Sequence, residues 1–152
     1  MRGGYLLVIY LEKNQNIRTK ARRFNLKKGY YVYVGSAMNS LEKRVLRHFK
    51  KEKRFHWHID YLLDKAQLIE AYLIPSNARI EEKLSQALSD VVIGIEGFGA
   101  SDIAVKTNLY YFGDTTPYGV LANILNSMKL RWKRIKNPQD IMEWGEENAE
   151  DR

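Results

Sequence analysis

Residues 5–11, YLLVIYL, are apolar on both faces and partly β-branched or aromatic. Such a short run is too brief for a free-standing helix and reads as a strand inside a sheet. A second run, YYVYV at residues 30–34, is opened by Gly29 and closed by Gly35, and antiparallel pairing with the first is expected. Strand alternation puts Tyr31 and Tyr33 on one face and Tyr30 on the other, where it packs. QLIEAYLI at 67–74, stopped by Pro75, predicts a third strand, and NLYYF at 108–112 a last short one.

Between these lie helical patterns. Leu41, Val45 and Phe49 recur every four residues and predict a helix over about 40–51, with Asn39 as N-cap and Glu42 completing a capping box. Further helices are expected over 57–65, over 78–90 with Ile80, Leu84, Leu88 and Val91 inward and Ser76 or Asn77 marking its start, and over 117–127. Residues 12–28 read as a long polar connection, and KLRWKRIK at 129–136 is amphipathic and basic without an assigned structure. The expected fold is mixed α/β of the α+β kind: a small, mostly antiparallel sheet of three to four strands flanked by helices. One domain spans 1–137, with the motifs in 3–112 and a helical, basic extension over 113–137; residues 138–152 read as a mobile acidic tail.

The chain's 152 residues suit one domain with a real core. It has no cysteine, which excludes disulfides, thiolate catalysis and cysteine zinc sites. No apolar run approaches the roughly 20 residues of a membrane helix, and the N-terminus lacks signal-peptide anatomy, so a cytoplasmic protein with no membrane partner is expected. Net charge is +7, unevenly spread. The last 15 residues hold six acids and one base, leaving 24 basic and 12 acidic side chains in the rest. Arg18, Lys20, Arg22, Arg23, Lys27 and Lys28 form one block without an acid; Lys43, Arg44, Arg47, Lys50, Lys51, Lys53 and Arg54 form another against Glu52 alone. Two such blocks flanking the tyrosine strand point to a nucleic-acid surface, and Arg22, Arg23, Lys43, Arg47, Lys50, Lys51, Lys53 and Arg54 are its candidate contacts.

No nucleophile elbow, P-loop or dinucleotide fingerprint occurs, and GFGASD reads as a tight loop. HWHID places His56, His58 and Asp60 at alternate positions. On a strand they could share a metal; on a helix they would fan apart. The following YLLDKA favours a helix, with the polar residues capping or hydrogen-bonding.

The order of Gly3-Gly4-Tyr5, Tyr33-Val34-Gly35, Arg44, His48 and Glu81 in RIEEKL resembles the GIY-YIG nuclease superfamily. The longer strings GYYVYVGSA, HWHIDYLL and GFGASD resemble one branch of it, a small stand-alone domain of unknown function sometimes fused to a base-excision DNA glycosylase. The likeness covers about residues 3–112. It implies Tyr5, Tyr33, Arg44 and His48 as catalytic residues and Glu81 as the ligand of one Mg²⁺ or Mn²⁺, with Glu82 the neighbouring candidate. The gap between Tyr5 and Tyr33 is longer than in typical members, glycine replaces the usual isoleucine at Gly4, and Ile103, Ala104 and Val105 stand where the branch often shows cysteines. The superfamily's late asparagine has no clear counterpart; Asn108 is a weak candidate.

Hydrolysing a phosphodiester needs a deprotonated water, neutralised phosphoryl oxygens and a stabilised leaving oxygen. Tyr5, with Tyr33 beside it, suits proton relay, Arg44 suits a forked grip on phosphate, and His48 one turn on can hydrogen-bond a tyrosine or the nucleophile. The leading expectation is a Mg²⁺-dependent endonuclease acting on DNA in repair or recombination. The alternatives are a nucleic-acid-binding module without catalysis and a metal-dependent hydrolase built on His56, His58 and Asp60.

Overall fold

The computed structural model describes residues 1–99 and 107–149. The end of the GFGASD string from Ala100 onward, Ile103 to Val105, and the tail residues Glu150, Asp151 and Arg152 lie outside them. The first strand, β1 (Gly3–Leu11), is followed by β2 (Gln15–Arg18), β3 (Arg23–Leu26) and β4 (Gly29–Ala37). Helices α1 (Leu41–Phe49) and α2 (His58–Lys65) lead to β5 (Gln67–Pro75) and α3 (Glu81–Ser89). Then come β6 (Ile93–Gly94), β7 (Leu109–Gly113), α4 (Tyr118–Ser127), β8 (Lys133–Ile135) and α5 (Pro138–Ala149). Among the described residues the main sheet has six strands in the order β6-β7-β4-β1-β5-β8, with every neighbouring pair antiparallel.

Both faces of β1 are buried, as its double apolar face requires. Tyr5, Leu7, Ile9 and Leu11 face a layer containing α1, α2, α5 and the β2–β3 hairpin. Leu6 and Val8 face α3 and α4. β4 obeys the same alternation: Tyr31 and Tyr33 join the first layer, while Val32 and Val34 join the second and Tyr30 packs against Tyr10 at 4.8 Å. The α+β class is as expected.

The strand count is larger than expected, for identifiable reasons. The connection over 12–28 holds a hairpin in which Ile17, Phe24 and Leu26 are buried and alternate with exposed residues. Each strand is only four residues long, and its basic residues dilute the alternation. β8 is a three-residue edge strand in KLRWKRIK, paired with β5 through Ile135. Gly35 lies inside β4, which continues to Ala37, so it does not end the strand.

Local details also differ. Ser40, not Asn39, caps α1, its Oγ accepting from the Lys43 N–H at 3.2 Å. Glu42 therefore falls one position short of a capping box; its carboxylate meets the Ser40 hydroxyl and the N-terminal amine. α3 starts only at Glu81, since Ser76 turns back on Ala78 instead of capping a helix, and Val91 lies beyond the helix end, exposed. The acidic tail is helical through Ala149, with Ile141 and Trp144 buried in the first layer. Its charge masks two apolar anchors three residues apart, enough to dock one helical face. Among the described residues no helix is long and apolar enough to cross a membrane.

Candidate active site

Tyr5 pairs with Gly35 across β1 and β4, and the tyrosine ring lies over the glycine. A Cβ at Gly35 would come within 2.2 Å of Tyr5 Cζ, so only glycine accommodates that ring position. From the layer above, α1 lowers His48 onto the phenol, and Tyr5 Oη lies 2.8 Å from His48 Nε2. The Tyr33 ring stands edge-on to His48 at 6.5 Å between centroids. Both phenols are buried, and burial first of all holds their pKa values well above the ordinary tyrosine value. The Arg44 guanidinium pulls Tyr5 the opposite way, while the Glu81 charge adds to the rise. His48 is lowered to about 3, chiefly by burial and then by the nearby Lys53 charge, so its imidazole stays neutral near pH 7.

Arg44 sits one helical turn before His48 and donates to the Ser36 carbonyl at 3.2 Å. The Ser36 hydroxyl, on the opposite side of β4, donates to Glu81 Oε2 at 3.3 Å. Glu81 thus reaches the site from the other layer, at the first turn of α3. Gly4 makes this approach possible: a Cβ there would press on Ile80 and Leu84 at 3.0–3.2 Å. Asn108 completes the link, its Nδ2 donating to Glu81 Oε1 and to the Gly99 carbonyl, each at 3.0 Å. Gly99, at φ +70°, lies against the Tyr33 ring. Tyr5, Tyr33, Arg44, His48 and Glu81 are thereby gathered at one end of the sheet, joined by Ser36 and Asn108. Glu82 is exposed and belongs to no such contact.

Among the described residues Glu81 supplies the carboxylate at this junction, and the buried Asn108 Oδ1 beside it has no hydrogen-bond partner there. One carboxylate with neutral oxygen donors fits a hard cation such as Mg²⁺, which fills its shell with water and phosphate. Among the described residues no three His, Cys, Asp or Glu side chains cluster as a metal site.

The alternative metal site in HWHID is not formed. Asp60 turns inward and accepts a fork from Arg47 at 2.9 and 3.0 Å, plus the N–H groups of His56 and Trp57 at 2.8 and 3.1 Å. Burial alone would raise this carboxyl; the Arg47 fork and the two N–H donors hold it below the ordinary range. His58 Nδ1 instead accepts from the Gly99 N–H at 3.1 Å. α2 begins at His58, so His56 lies before it, and Asp60 in its first turn caps it by accepting the Trp57 N–H, as the helical reading expects.

The expected nucleic-acid contacts divide. Arg22, Arg23, Lys43, Lys50, Lys51 and Arg54 are exposed. Arg22 lies over Phe24 at 5.3 Å and against Gly97. Arg47 is committed to Asp60 and to the Arg54 carbonyl, and Lys53 Nζ to the Arg47 and His48 carbonyls at the end of α1. These two side chains serve the fold first.

The sequence pointed to no functional role for Ser36 and to packing alone for Trp57. The serine stands beside the second motif, yet its bridging role needs α1 and α3 in place. Trp57 is 39% exposed and lies under both Arg44 and Arg47, at 4.6 and 4.7 Å. No curated protein and no solved structure matches the chain. Residues 4–130 match the family described as "Domain of unknown function DUF123", and since the match covers most of the chain, the protein belongs to that family.

Proposed function

We propose that the protein is a metal-dependent endonuclease that hydrolyses phosphodiester bonds in DNA, related to the GIY-YIG nucleases and serving DNA repair or recombination. The observation that carries this reading is the junction at Ser36, whose carbonyl accepts from the Arg44 guanidinium and whose hydroxyl donates to the Glu81 carboxylate, beside the Tyr5–His48 pair. A cation, an anion and a hydrogen-bonded phenol–imidazole pair near one strand residue support the reading, since phosphoryl transfer to water calls for such a set.

Neutral His48 accepts the Tyr5 proton at Nε2 as Tyr5 Oη takes one from water, leaving a hydroxide equivalent for attack on phosphorus. The P–O bond to the leaving oxygen breaks as that oxygen takes a proton from solvent water, and His48 gives its proton back to solvent after the product leaves. Arg44 neutralises charge growing on the phosphoryl oxygens, and Tyr33 packs beside the relay and limits its access to bulk water. A Mg²⁺ or Mn²⁺ ion held by Glu81 would act as Lewis acid toward the phosphate. Exposed Lys43, Lys50, Lys51 and Arg54 continue the basic surface away from the site and suit duplex phosphates.

The deep burial that keeps Tyr5 and Tyr33 protonated favours a second reading, a nucleic-acid-binding module without cleavage. The two separate on a panel of nicked, branched and abasic DNA with Mg²⁺, Mn²⁺ or EDTA. The enzyme reading expects metal-dependent cleavage that Glu81→Gln abolishes and Arg44→Ala cuts to a small, still measurable residual rate. Salt-sensitive binding with no cleavage on any substrate supports the module and sinks the enzyme.

A further inference from the structure

Arg44 and Arg47 leave the same helix three residues apart, and both guanidinium groups lie against the ring of Trp57, at 4.6 and 4.7 Å. Their charges are treated differently. Arg47 is neutralised by the fully buried Asp60 carboxylate. Arg44 has no carboxylate within ion-pair distance among the described residues; its neighbours include the Ser36 carbonyl, the indole face and the Tyr5 phenol. A carbonyl and a π face orient a guanidinium without cancelling its charge. An acid in the same place would hold Arg44 as firmly and leave it useless to a phosphate.

The rest of HWHID explains how the indole is held. Asp60 accepts from the backbone N–H of Trp57 and of His56 while gripping Arg47. The backbone that carries the indole is thus tied to the helix that carries Arg44. His48 packs near the same ring at 6.3 Å, so the indole borders both Arg44 and the proton relay.

We propose that Trp57 is a positioning residue that holds Arg44 toward the Tyr5–His48 pair, with Asp60 as its anchor. This rests on the nuclease reading for its catalytic consequence, whereas the contact itself does not. The inward turn of HWHID then has a purpose: it orders a cation rather than binding a metal.

The test compares the full-length protein with Trp57→Leu and Trp57→Phe. Far-UV circular dichroism and thermal melting establish that each is folded; the partial exposure of Trp57 makes that the expected result. The first readout is the Arg44 side-chain Nε–Hε NMR signal, assigned by its loss in Arg44→Ala. In the wild type it is shifted by the indole ring current. Trp57→Leu abolishes that shift and Trp57→Phe keeps part of it. An Arg44 signal unmoved in Trp57→Leu overturns the proposal, whether or not the protein cuts DNA.

The second readout is cleavage of the substrate found in the panel. Trp57→Leu lowers kcat about tenfold with KM little changed, as for a transition-state contact, and Trp57→Phe recovers most of it. In an Arg44→Ala background Trp57→Leu causes no further loss. A full additional tenfold loss there would show that Trp57 acts independently of Arg44 and overturn the proposal. If wild-type protein cleaves nothing, the nuclease reading fails and the NMR arm alone decides the Trp57–Arg44 contact.

Discussion

The phenol ring of Tyr5 occupies the space that a side chain at residue 35 would need, so the glycine of one strand and the tyrosine of its neighbour form one unit. Gly35→Ala forces the ring off its partner His48 or bends β4. The expected cost is about 1–3 kcal/mol, typical of overpacking. Urea denaturation measures it, and loss of cleavage should exceed the loss of folded protein.

Tyr5→Phe separates chemistry from packing. The ring stays, but buried His48 Nε2 loses its partner, which costs about 1–3 kcal/mol. Cleavage should vanish under conditions where circular dichroism shows the variant folded. Near-wild-type cleavage would remove Tyr5 from the relay.

His48 makes stability pH-dependent in a defined direction. Its folded pKa, about 3, lies below its unfolded value near 6.5. The unfolded chain therefore binds the extra proton between these limits, and stability falls as pH drops from about 6.5 toward 3. Above that window His48 contributes no slope. His48→Gln should flatten this part of the profile relative to wild type, as read from chemical denaturation at stepped pH.

Basic residues that look equivalent in sequence should behave oppositely. Lys50→Gln with Lys51→Gln leaves stability unchanged and weakens DNA binding, reducing the slope of log K against log salt by about 0.9 per lost phosphate contact. Arg47→Gln strands the buried Asp60 carboxylate and costs on the order of 3 kcal/mol. Equal melting temperatures for the two variants would refute this division.

Trp144→Ala tests the acidic C-terminal helix. The side chain is only 7% exposed and packs in the same layer as α1. Its removal should cost about 3 kcal/mol, whereas trimming a mobile tail would leave the denaturation midpoint unmoved.

The patterns that could be read directly were those set by neighbours in sequence. Two apolar faces on YLLVIYL made it a central strand, alternation sorted Tyr30 from Tyr31 and Tyr33, and four-residue spacing put Arg44 and His48 on one side of a helix. The β2–β3 hairpin, β8 and α5 escaped because each is short or highly charged and is held by a few buried anchors: Ile17, Phe24, Ile135 and Trp144. Their stability comes from the core they join, and local propensity carries little trace of it.

By itself the sequence determined which residue types were on hand for the proposed chemistry, their order along the chain, and a basic body ahead of an acidic end. Only the tertiary structure decided which of them act together. Ser36 meets both Arg44 and Glu81 because β4 lies between the layers that carry them, and Asn108 reaches Glu81 from 27 residues away. The same packing turned Arg47 and Asp60 toward each other and away from any ligand. Burial separates those outcomes: a charge out of water must take a partner, and which partner is within reach depends on how the layers stack.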